Sequence, residues 1–102
     1  MNRKLTGLQK RTLKSKAEQD IIRRYFERNW EAMSWCNKQG LTIYTSAQAN
    51  NSVMVRIFIQ KGVNFKPLNN ILYSQAEPED MMKCVAAIDL RYEQLYLRMK
   101  KN

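Results

Sequence analysis

Histidine is the side chain that most often moves protons or holds metal near neutral pH, and none of the 102 residues is one. Ser–His and Cys–His nucleophile pairs are therefore excluded. Two cysteines, Cys36 and Cys84, are too few to close a usual four-ligand zinc site. The glycines, Gly7, Gly40 and Gly62, are scattered, so no glycine-rich phosphate loop exists. The densest acidic group is Glu77, Glu79 and Asp80. Clustered carboxylates could do acid–base work or hold a cation, but these flank Pro78 at the start of a helical pattern. There they complement the helix macrodipole, which is a sufficient structural reason for them. These residues predict a protein that is not an enzyme and takes no metal or cofactor.

Contact chemistry remains. Lys and Arg number 18 against 9 Asp and Glu, a net charge of +9. The first sixteen residues hold Arg3, Lys4, Lys10, Arg11, Lys14 and Lys16 with no acid, and the last five hold Arg98, Lys100 and Lys101 with no acid. Residues 17–97 hold nine bases and nine acids and are neutral as a set. Cations in the last turn of a C-terminal helix offset its dipole, so the C-terminal group needs no function. No such account covers the N-terminal group. An acid-free basic arm of that kind suits phosphates or another anionic surface, its plain alternative being a solubilising tail.

Two apolar features sit on faces that should be polar. At 100° per residue, Trp35 falls opposite Ile22 and Met33, beside Arg24, Arg28 and Glu31. A Trp among arginines can stack on a base or anchor a protein contact. Alternatively, a strand or the arm folds over it. On the last helix, Ala86, Leu90 and Leu97 lie opposite its main apolar seam, which calls for either a partner chain or a second internal layer.

The elements that must position these residues follow from periodicity. Residues 1–15 read as the arm, since Leu5, Leu8 and Leu13 make no helical stripe. Residues 16–102 read as one domain. The spacing predicts a helix over 16–38, with Ile22, Phe26, Trp30, Met33 and Cys36 on one face, Asn29 near the centre of that face, and Gly40 as the C′ residue. An antiparallel meander follows over 41–67. Its strongest strand is Val53–Gln60, with a tight turn at Lys61-Gly62 and a third strand from Val63 that Pro67 ends. Leu68–Ser74 reads equally as strand or helical turn. Pro78 opens a long helix whose seam is Met81, Val85, Ile88, Tyr92, Leu95 and Met99. The expected fold is α+β, a two- or three-stranded antiparallel meander flanked by an N-terminal and a long C-terminal helix.

No stretch approaches the ~20 apolar residues that span a bilayer, and the basic start is not followed by an apolar signal region. The cysteines fall on apolar helical faces, where reduced, buried thiols are the default, although a bridge between the two helices stays open. A cytoplasmic protein is expected. The first functional expectation is a nucleic-acid-binding accessory protein, with Arg24, Arg28, Trp35, Lys100 and Lys101 joining the arm. Without a helix-turn-helix, zinc-finger or RNA-recognition signature, base-specific reading is not expected. Phe58, the one aromatic on the outer face of Val53–Gln60, makes no stacking platform alone. The second expectation is a protein-interaction module, a homodimer through Ala86, Leu90 and Leu97.

Overall fold

The computed structural model describes residues 15–48 and 51–100. It has helices at both ends of the described chain and an antiparallel sheet between them, as expected. The elements are α1 (Lys16–Phe26), α2 (Trp30–Lys38), β1 (Leu41–Gln48), β2 (Asn51–Lys61), β3 (Asn64–Pro67), β4 (Tyr73–Ser74) and α3 (Pro78–Lys100).

The helix expected over 16–38 is two helices. Ser15 caps α1: its Oγ accepts from the Glu18 N–H at 3.1 Å and donates to the Glu18 carboxylate at 3.3 Å. α1 stops at Phe26, and Asn29 starts α2 by accepting the Ala32 N–H on its Oδ1 at 3.0 Å. A carboxylate sixty residues away fixes the break, because the Asn29 N–H donates to Asp89 Oδ1 at 2.7 Å. The break reverses two sequence expectations. Phe26 and Trp30, placed on the buried stripe, are 73% and 58% exposed. α2 ends as expected, with Gly40 just beyond its C-cap at φ +84°.

β2 is the central strand. β1 pairs along one edge, with Tyr44 opposite Phe58 and Ile43 opposite Ile59. The other edge is shared by β3, with Gln60 opposite Phe65, and by β4, with Val55 opposite Tyr73. The ambiguous segment 68–74 thus ends as a short strand, which adds a fourth member to the meander. Gly62, at φ +62°, turns the β2–β3 hairpin.

Side chains alternate across the sheet. Leu41, Ile43, Val55, Ile57 and Tyr73 face inward and join Ala32 and Cys36 of α2 and Cys84, Ile88, Tyr92 and Leu95 of α3 in one core. The middle of the predicted α3 seam is therefore buried, and Met81 and Met99 pack at its margins. Both cysteines are buried and free, which closes the open question of a bridge between them. Burial pushes both thiols up from their ordinary value. Tyr92 ties the helical layer to β1, because its hydroxyl accepts the Ile43 N–H at 2.7 Å.

Candidate nucleic-acid interface

Among the described residues, those named from sequence do not form one patch. Arg3, Lys4, Lys10, Arg11, Lys14 and Lys101 lie outside the described residues. Lys16 is exposed at the start of α1, whose next turns lie against Glu79, Met82 and Lys83 near the start of α3. Lys100 is exposed at the other end of α3. At 1.5 Å per residue that helix is roughly 35 Å long, so the two lysines sit at opposite ends of the helical layer.

Arg24 leaves the set of contact candidates for a physical reason. It is the one buried residue of α1, and its guanidinium is committed to three carboxylates: Asp20 at 2.9 Å, Asp89 at 2.8 Å and Glu93 at 2.8 Å. Asn29 joins the network by donating its Nδ2 to Glu93 at 3.1 Å. Hydrogen bonds from Arg24 and Asn29 hold the Glu93 carboxyl below its usual range, and those from Arg23 and Arg24 do the same for Asp20. Buried to 6% exposure and held by three carboxylates, the guanidinium is not presented to a phosphate at the surface.

Arg28 lies over the ring of exposed Trp30, 4.8 Å from its centre, and not beside Trp35. Trp35 is half-buried and packs on the core, edge-to-face with Tyr96 at 5.6 Å. Among the described residues, the last helix covers it through Tyr96. Tyr96 also receives the Lys100 ammonium at 2.7 Å and donates to Glu31 at 3.0 Å. The expected outer ridge of α3 divides: Ala86 is buried inside the protein, whereas Leu90 and Leu97 are exposed. Leu90 rims an open groove of about 510 Å³, whose apolar wall is Ile59, Pro67, Leu68 and Ala87.

Sequence reasoning missed the outer face of the sheet. Phe58 is not alone there. Tyr44 lies across from it, the two rings nearly parallel at 6.0 Å and 20°, and Phe65 follows at 6.2 Å on the other side. Three aromatic rings thus run across three strands. The described helices pack on the opposite face, against Leu41, Ile43, Val55 and Ile57. Arg56 shares the outer face, paired in register with Ser46. One turn and one strand register carried the missing signal. A two-residue turn at Gly62 pairs Gln60 with Phe65 and so sets Phe65 on the Phe58 face, and the β1–β2 register adds Tyr44.

Charge is divided between the layers. From Gln39 to Ala76, the span that holds the sheet, the chain carries Arg56, Lys61 and Lys66 and no acidic residue. All nine acids lie in the helices or at their ends. Several are engaged there: Asp20, Asp89 and Glu93 on Arg24, Glu31 on Tyr96, and Asp80 accepting the Ser74 N–H at 2.9 Å. The neutral body of the sequence is thus a basic sheet backed by acidic helices.

Among the described residues no group of three or more acidic or cysteine side chains is arranged to hold a metal ion, and no helix is long and apolar enough to cross a membrane. Comparison of the chain with protein families, with curated proteins and with solved structures finds no match in any of the three.

Proposed function

We propose that this chain is a non-enzymatic nucleic-acid-binding accessory protein that meets phosphates with its basic residues. The observation that carries the reading is the division of charge between the layers. A sheet layer free of acid presents a positive surface, while the acids that would repel a phosphate chain sit in the helices behind it. The acid-free N-terminal segment adds six more bases. Affinity from such contacts comes largely from counterion release, so it falls steeply with salt.

The test is the slope of log affinity against log salt. If the six bases of residues 1–16 meet duplex phosphates, the slope approaches about −5, and replacing Lys10, Arg11, Lys14 and Lys16 by Gln flattens it by up to about 3.6 units. The loss is equal across unrelated sequences, because phosphate contacts position without specifying bases. Absence of binding to single and double strands of both DNA and RNA at low salt overturns the reading.

A second reading, self-association through α3, rests on exposed Leu90 at the rim of the open groove and on exposed Leu97. It expects a dimer on sizing that Leu90→Glu converts to monomer without lowering the melting midpoint. A parent that elutes as a monomer at all concentrations removes it.

A further inference from the structure

Resting on the nucleic-acid reading, we infer that the outer sheet face is a stacking platform for a single strand, with Tyr44, Phe58 and Phe65 as seats for successive bases and Arg56 as the adjacent phosphate contact. Three observations lead there. The rings are contiguous, at 6.0 and 6.2 Å between neighbouring centres, and they cross β1, β2 and β3 in one row. The row ends in the open, with Phe65 65% exposed on a β3 that has no buried residue at all. Folding does not explain an aromatic so placed, since it buries little apolar area against the protein. The charge of the layer is also of one sign, with Arg56 beside the rings and no acid from 39 to 76.

These features select a single strand over a duplex. A duplex keeps its base faces stacked inside and offers a row of rings only its phosphates. An unpaired strand offers every base face, and every base stacks, so a ring row binds without reading sequence. Guanidinium and base-stacking contacts on one surface are complementary to the alternation of charge and flat ring along such a strand. The basic N-terminal segment would contribute affinity to strand and duplex alike, so the ring row is the part of the molecule that distinguishes them.

The experiment uses the full chain with labelled fifteen-nucleotide oligo(U) and oligo(dT) and a mixed-sequence duplex of equal length. Phe65→Ala and Phe58→Leu, which keeps apolar bulk without a ring, weaken single-strand binding by roughly 5- to 140-fold each, the equivalent of about 1–3 kcal/mol per stacked base. Tyr44→Leu, which likewise keeps apolar bulk without a ring, weakens it in the same range. Duplex affinity and the salt slope stay at parent values in all three, and Arg56→Gln flattens the single-strand slope by about 0.7. Ultraviolet crosslinking of the bound oligo(U) or oligo(dT) maps to peptides of β1, β2 or β3. Melting midpoints are measured alongside, and Phe65→Ala, at the most exposed ring, retains the parent value. The platform is overturned if the parent binds single strands while Phe65→Ala and Phe58→Leu bind them equally well, or if the parent prefers duplex; the charge-based reading survives either result. A parent that binds no nucleic acid overturns both.

Discussion

Removing the Arg24 guanidinium would leave Asp20, Asp89 and Glu93 facing one another around an empty place, with Asp89 only 2% exposed. A buried charge stripped of its partner costs about 3–5 kcal/mol, so Arg24→Met is expected to lower the melting midpoint by on the order of 15–30 °C. Arg24→Lys will not restore it, because one ammonium cannot reproduce a fork that reaches three carboxylates. Thermal unfolding of the two variants checks this directly; a midpoint within a few degrees of the parent in Arg24→Met would mean that the network carries little. Tyr92→Phe poses a narrower question. It keeps the buried ring and removes the hydroxyl that accepts the Ile43 N–H, a buried backbone donor, and that donates to Asn37 Oδ1 at 3.2 Å. A loss of about 1–3 kcal/mol is expected in denaturant unfolding, with no change in the dependence on denaturant concentration.

At the scale of elements, the sequence displayed what local periodicity encodes and concealed what distant partners decide. The α3 seam, the inward face of β2, the Gly40 terminus of α2 and the Gly62 turn were all readable from spacing and residue type. The helix break was not. Asn29 stood out on an apolar stripe, but its role depends on Asp89 and Glu93, which no helical wheel of 16–38 contains. The same blindness placed Arg24 on a surface and Phe26 and Trp30 in a core. The ring row escaped for a related reason: each strand shows one aromatic, and only the pairing register puts Tyr44, Phe58 and Phe65 side by side. Asn29→Ala tests the cap that resolves the break. Losing the bond to the Ala32 N–H is expected to cost about 0.5–2 kcal/mol, with part of the helical signal from α2 lost before global unfolding.

Across the whole molecule, stability should fall on both sides of neutrality. Asp20 and Glu93 titrate below their ordinary 3.8 and 4.5, so the contribution they make is complete above those values and is lost as pH falls through the lower folded values. Tyr73, Tyr92, Cys36 and Cys84 titrate above theirs, chiefly through burial. The stability linked to those groups is complete below their unfolded values and is lost as pH rises through the folded ones. Denaturant midpoints measured against pH should therefore show a plateau over roughly pH 5–8, with a shallower acid limb in Arg24→Met, where Asp20 keeps Arg23 and Glu93 keeps Asn29.

α1 has Arg24 as its only buried residue, so charge rather than apolar area fastens it to the rest of the protein. Amide hydrogens report such a fastening one peptide at a time. In deuterated buffer the amides of Lys16–Phe26 should exchange sooner than those of α2 or of the buried middle of α3, through an opening that leaves the core closed. Lowering the pH toward 4 should widen that gap beyond the intrinsic change in exchange rate, as protons reach Asp20 and Glu93. The first helix would then behave as a hinged flap that carries the basic N-terminal segment with it, released by acid while the sheet stays folded.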